Sequence, residues 1–203
     1  MPKLVKHLLP RVKDNFCKEL RESNNNGEIL YQWDFDAGND KLLFKNDRLY
    51  RHRIFRINYT TYDVQRVQDV INPHTPHRDI MVLNSVDGTD NKFSYARVLS
   101  IYHADVIYAN ANGAYQIHKP QRIEFFIKSS SAISPTWDTL RLDRLTFPSV
   151  ADDDALDFLD PANVLRACHI VPRISLSRVH QDGIGVSRCA NDKEDWERYY
   201  VNR

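Results

Sequence analysis

The stretch FRINYT, residues 55–60, alternates strictly between apolar and polar side chains, and that period of two limits the chain more than any other feature. In an extended backbone successive side chains leave on opposite faces. Phe55, Ile57 and Tyr59 are therefore predicted to face a core, and Arg56, Asn58 and Thr60 to face water. On a helix the same residues would scatter around the axis and bury no common face. DIMVLN at 79–84, SYARVLSIYHADVIY at 94–108 and RIEFFI at 122–127 add apolar, β-branched and aromatic runs of strand length, with the turn signals VDGTD and NANGA between them. Their order predicts a meander. VLRACHIV at 164–171 reads as the last strand, and Asn46-Asp47 in LLFKNDRLYRHRIF as a hairpin turn.

One segment has a different period. VKHLLPRVKDNFCKELRE places Leu8, Leu9, Val12, Phe16 and Leu20 one, three and four residues apart, which predicts a helix over about residues 10–22. The clustered Asn and Gly of SNNNGE, 23–28, end it. Five or six strands with one helix predict a mainly β, α+β chain folded as a small β barrel or sandwich rather than a doubly wound sheet. The expected organisation is a helical segment at 1–28, a β-barrel-like domain at 29–180 and a C-terminal arm at 181–203, in which KEDWERYYVNR forms a short helix or an arm. At 203 residues, 42% of them hydrophobic, the chain has material for one core of ordinary size.

Several function classes are disfavoured at once. The 28 Lys and Arg nearly cancel the 27 Asp and Glu, so only a local patch can attract a polyanion. Cys17, Cys168 and Cys189 are odd in number and far apart, with no C-x-x-C, which predicts neither a disulfide framework nor a thiolate zinc site and favours a reducing compartment. No run approaches the ~18 apolar residues of a membrane span, and MPKLVKHLLPRVKD lacks the pattern of a secretory signal, so a soluble intracellular protein is expected. The six Gly form no phosphate-binding loop, and no cofactor is expected.

The local patch lies around the alternating strand. Lys41, Lys45, Arg48, Arg51, Arg53, Arg56 and Arg66 outnumber Asp47 and Asp63, with Tyr50, His52, Tyr59 and Tyr62 interleaved. Guanidinium groups pair with phosphates and aromatic faces stack on unpaired bases. Lys45, Arg48, Arg51, Arg53, Arg56, Tyr59, Tyr62 and Arg66 are thus the candidate nucleic-acid-binding residues, against the plainer reading of a charged edge strand that resists aggregation.

Other constellations are weaker. In NPHTPHRD, His74, His77 and Asp79 are possible metal ligands that His103, Asp105, His118 or His169 would complete, but two prolines make the segment a turn in which polar side chains serve the backbone. Asp105, Glu124 and Lys128 sit on neighbouring predicted strands, as a metal-dependent nuclease would need, yet E-x-x-x-K is looser than the E-x-K spacing of such enzymes. Asp152, Asp153 and Asp154 in ADDDALDFLD lack the alternation and Gly of a calcium loop and read as a solvated loop before a helix start. Tyr62, Tyr95, Tyr102 and Trp137 are the aromatics from which a methyl-lysine cage could be built.

The segments KNDRLYRHRIFRINYTTYDVQRVQDVINPHTPHRDIMVLNSVDG, YARVLSIYHADVI, RIEFF, DFLDPANVLRACHIVP and EDWERYYVNR, with LLPRVKD near the start, resemble the C-terminal region of large transposon-related proteins of basidiomycete fungi, of the Plavaka or KDZ transposase-associated kind. The resemblance implies that a transposase core, where present, lies upstream, with its catalytic carboxylates outside these residues. The chain departs from the family at IKSSSAISPTW, where relatives continue RIEFF with a Trp-, Arg- and aromatic-rich strand, so a shortened strand is expected in 128–140. In order of segments, YARVLSIYHADV, RIEFF and DFLDPANVLRACHIV are also similar to the bromo-adjacent homology domain, a chromatin-associated β module, and Val164, Cys168 and Val171 come near its V-x-x-C-x-V pattern. This resemblance implies an SH3-like barrel of that type.

The combined expectation is a non-enzymatic nuclear module that contacts nucleic acid or chromatin, with no catalytic residues, no metal and no membrane partner. A histone or methyl-lysine peptide reader and a metal-dependent nuclease are the alternatives.

Overall fold

A computed structural model of the protein describes residues 2–23, 41–60, 66–83, 93–109, 120–134 and 143–202. The elements are α1 (Pro2–Ser23), β1 (Lys41–Phe44), β2 (Tyr50–His52), β3 (Phe55–Thr60), β4 (Arg66–Ile71), β5 (Asp79–Leu83), β6 (Phe93–Ala109), β7 (Gln121–Ser130), β8 (Ala132–Ser134), β9 (Arg144–Thr146), β10 (Leu156–Leu159), β11 (Val164–Ala167), β12 (His169–Pro172) and β13 (Tyr199–Asn202). Strand residues far outnumber helical ones, so the chain is mainly β with an N-terminal helix.

Among the described residues the strands form three sheets. The largest has the order β10-β7-β6-β5-β11, with β1 and β2 also paired to β6; β12-β13-β9-β8 make a second, and β3-β4 a two-stranded third. The expected meander is present in the neighbours β5, β6 and β7. The turn signals VDGTD and NANGA lie outside the described residues.

Among the described residues no closed barrel is found. VLRACHIV, predicted as one strand, is found as two. β11 pairs with β5, β12 pairs with β13 in another sheet, and between them the Cys168 N–H donates to the Asp79 carbonyl at 2.9 Å. The chain passes there from the large sheet to the four-stranded one. Its end is also different from the expected helix or arm: a single 3-10 turn, Asp192–Glu194, precedes β13, which is hydrogen-bonded on both sides by β12 and β9.

Two further expectations are corrected. Asn46 and Asp47 do make a tight turn, both with positive φ (58° and 51°), but its flanking strands β1 and β2 pair with β6 rather than with each other, so it is no hairpin. The acidic run leads to β10 rather than to a helix. The Asp160 carboxylate then accepts the Ala162 N–H at 2.9 Å, capping the 3-10 turn Pro161–Asn163.

By internal contacts the chain groups into two units, residues 1–50 with 103–124 and residues 51–102 with 125–203. In the first, α1 begins eight residues before the predicted start. Leu4 extends the stripe through Leu8, Val12 and Phe16, all buried, and Pro10 sits exposed, forgoing the bond its missing N–H would have made. Phe16 meets the Tyr108 ring at 6.0 Å, and Arg11 Nη1 donates to the Glu124 carbonyl at 2.8 Å.

In the second unit one core gathers Ile71, Ile80, Val82, Ala96, Val98, Ile101, Phe126, Leu159 and Val164. A smaller cluster of Tyr95, Leu145, Tyr199 and Val201 is built on the four-stranded sheet and β6.

Candidate nucleic-acid interface

β3 and β4 form a ribbon in register Phe55↔Ile71, Arg56↔Val70, Ile57↔Asp69, Asn58↔Gln68, Tyr59↔Val67 and Thr60↔Arg66. A two-stranded ribbon is marginal by itself and needs a packed face. Here that face is the apolar half of FRINYT, as the alternation predicts. Ile71 is fully buried, Phe55 and Ile57 pack on the same core, and the Phe55 ring meets Phe126 edge-on at 5.0 Å. Farther along, the Asp69 carboxylate accepts the Ala167 N–H at 2.9 Å, and the Arg166 guanidinium lies 5.3 Å from the Tyr59 ring centroid.

The other face carries Arg56, Asn58 and Thr60 of β3 opposite Val70, Gln68 and Arg66 of β4, and all six are exposed. Gln68 Nε2 donates to Asn58 Oδ1 at 2.9 Å across the middle of it. Among the described residues no acidic side chain belongs to this face. Asp69, the one carboxylate of the two strands, is on the other side and bonded to backbone. Arg51 and Arg53, just before β3, are exposed, with Arg51 Nη2 3.3 Å from His74 Nε2.

Of the predicted binding residues, Arg51, Arg53, Arg56 and Arg66 thus belong to the ribbon and its approach, and Arg56 and Arg66 share one face. Tyr59 is on the opposite face under Arg166 and offers no stacking surface beside Arg56. Lys45 and Arg48 belong to the first unit, and Tyr62 lies outside the described residues. Sequence reading missed Asn58, Gln68 and Val70. The signal was present in the repeated Arg-apolar-amide triplets RIN, 56–58, and RVQ, 66–68.

The other constellations resolve into structural roles. NPHTPHRD is a self-bonded turn: Asn72 Oδ1 accepts the His74 N–H at 3.0 Å, Thr75 Oγ1 accepts the His77 N–H at 3.3 Å, and the Asn72 N–H donates to the His77 carbonyl at 2.9 Å. Asp79 is buried in an ion pair. His103 stacks on Tyr50 with centroids 4.7 Å apart, His169 is exposed in β12, and His118 lies outside the described residues. The Glu124 carboxylate pairs with Arg122 at 3.2 Å, while Lys128 Nζ donates to Ser130 Oγ. Burial pushes the Lys128 ammonium down, against the pull of Asp157. Among the described residues no three His, Cys, Asp or Glu side chains gather as metal ligands. Of the cage aromatics, Tyr95 is buried with its hydroxyl on Asp143, Tyr102 stacks on Phe125, and Trp137 and Tyr62 lie outside the described residues.

A second charged site is buried in the same unit. Arg97 of β6, 4% exposed, donates from Nε to Asp79 Oδ1 at 3.1 Å and from Nη1 to Asp195 Oδ1, with the Phe147 ring 4.3 Å from its guanidinium carbon. The Tyr199 hydroxyl donates to the same Asp195 oxygen at 3.1 Å and accepts the Trp196 N–H at 2.9 Å. Burial pushes the Asp79 carboxyl up despite Arg97 and Arg78, and it pushes the neighbouring Cys168 thiol up to about 12, with Asp79 adding to the effect. For Arg97 burial works against the charge, but Asp79 and Asp195 outweigh it and the guanidinium is held more firmly protonated. The cluster ties the segment before β13 to the large sheet.

No protein-family model, curated protein or solved structure matches this chain.

Proposed function

We propose that this chain is a non-enzymatic nucleic-acid-binding module, of nuclear and transposon-associated origin as its resemblance to the fungal proteins suggests, with a bromo-adjacent-homology-like relation as the finer reading of its β fold. The observation that carries the reading is the exposed face of the β3–β4 ribbon. It holds Arg56 and Arg66 with no carboxylate beside them among the described residues, and Arg51 and Arg53 at its approach. A charged edge needs only to repel other edges. This face adds amides and a hydroxyl between its arginines, a set of donors suited to phosphate oxygens and base edges.

Each phosphate neutralised by a basic side chain releases counterions. About three contacts should therefore give a log–log salt slope near −3 on duplex DNA. Replacing Arg51, Arg53 and Arg56 together by Ala should flatten that slope by about two to three units. Fluorescence anisotropy titrations at two salt concentrations measure it; equal slopes for the two proteins, or no binding by the wild type at low salt, would refute the reading.

A further inference from the structure

We infer that the ribbon enters the major groove of duplex DNA and reads a short, nearly palindromic sequence through Asn58 and Gln68. This rests on the nucleic-acid reading above and goes beyond it in naming the form of nucleic acid and the residues that select sequence.

The register carries the inference. Asn58 faces Gln68, Arg56 stands two residues before Asn58, and Arg66 stands two residues before Gln68. In an antiparallel pair, a half-turn about an axis through the Asn58–Gln68 rung exchanges RIN with RVQ. The outer face therefore has an approximate two-fold axis of its own, with an amide pair at the centre and one arginine on each side. B-DNA has local two-fold axes perpendicular to its length, and its major groove is wide enough for a two-stranded ribbon. From the Arg56 rung to the Arg66 rung is four residues, about 13 Å at a strand's rise, or about four base pairs.

The chemistry selects the groove and the bases. Arginine is suited to guanine O6 and N7, and Asn or Gln to adenine N6 and N7. The bond from Gln68 Nε2 to Asn58 Oδ1 fixes both amides while leaving Asn58 Nδ2 as donor and Gln68 Oε1 as acceptor. Val70, 41% exposed on this face, suits a thymine methyl. The expected core is two A·T pairs flanked by G·C pairs with their guanines on opposite strands. Single strands are disfavoured because Phe55 and Tyr59 are engaged on the inner face, and among the described residues the outer face of the ribbon carries no aromatic side chain to stack on bases. Duplex RNA is disfavoured because its major groove is too narrow.

The test is selection from a randomised duplex pool. Anisotropy with the selected duplex, a scrambled duplex, single-stranded DNA and duplex RNA follows, using wild type, Asn58→Ala/Gln68→Ala and the Arg51, Arg53, Arg56 triple variant. A near-palindromic core with an A·T centre, preferred about tenfold over scrambled duplex and reduced to within about twofold in Asn58→Ala/Gln68→Ala, supports the inference. The triple variant should lose salt-dependent binding to the selected and the scrambled duplex alike. No enriched core, a preference unchanged by the double substitution, or equal affinity for single strands or duplex RNA would overturn groove reading while leaving phosphate contact standing if the triple variant still loses binding. No binding to any of the four probes would overturn both.

Discussion

Arg56 and Arg97 are the same residue type on β-strands of the same unit, and they do opposite things. Arg97 is 4% exposed, holds Asp79 and Asp195, and joins two distant parts of the chain. Arg56 is exposed, and among the described residues its face of the ribbon has no carboxylate. A buried guanidinium is tolerable only when paired and hydrogen-bonded, because removing it from water costs several kcal/mol. On the ribbon water supplies that solvation, so the arginines there are not needed to hold the fold and remain available to a polyanion. What separates the buried, paired arginine from the exposed one is the supply of acidic partners, which local sequence does not reveal.

The largest effect is expected where the buried arginine is removed. Arg97→Met removes the guanidinium hydrogen-bonded to both Asp79 and Asp195 and should lower stability by about 3–5 kcal/mol in urea unfolding. At equal concentrations of folded protein, its duplex affinity should match the wild type. A loss of affinity without a loss of stability would erase the distinction between the two arginines.

A smaller, pH-dependent effect sharpens the structural side of the comparison. Burial alone would push the Asp192 carboxyl up, but it accepts the N–H groups of Ser187 (3.0 Å) and Val186 (2.9 Å) and faces His180, and these hold it below the usual carboxylate range. Its folded pKa is therefore depressed. The stabilisation is present above the unfolded value, about pH 4, and is lost as pH falls through the lower folded value. Asp192→Asn should accordingly be less stable than wild type at pH 6, with the gap closing below about pH 4 in acid titrations followed by circular dichroism. A gap constant with pH would mean that the carboxylate charge contributes nothing. Gly185 belongs to the same loop: a Cβ there would lie 2.4 Å from Asp192 Oδ1, so the loop closes around the carboxylate only with glycine at that position.

The parts of the fold that were legible in sequence are those set by local period. The inward set of β3 follows from alternation, and the start of α1 was hidden only by Pro10, before which Leu4 already continues the stripe. β4 was not legible because RVQDVI places apolar residues on both faces, Val70 outside and Ile71 inside, and puts Asp69 on the inner side. The two strands around Asn46-Asp47 were read as partners because they are adjacent in sequence, whereas both pair with β6. The basic stretch was legible as composition, but its face was not: Arg66 joins Arg56 only through the ribbon register. The Arg97 site was invisible for the same reason, its partners lying 18 and 98 residues away.

The most direct measurement reverses charge on the ribbon's outer face alone. Arg56→Glu/Arg66→Glu should weaken binding to duplex DNA at low salt by tenfold or more, on the order of the cost of losing two phosphate contacts and adding repulsion. The thermal unfolding midpoint should stay close to that of the wild type, since both side chains are exposed and their face carries no carboxylate among the described residues. Unchanged affinity with an unchanged midpoint would show that the ribbon is a solvated edge and contradict the account.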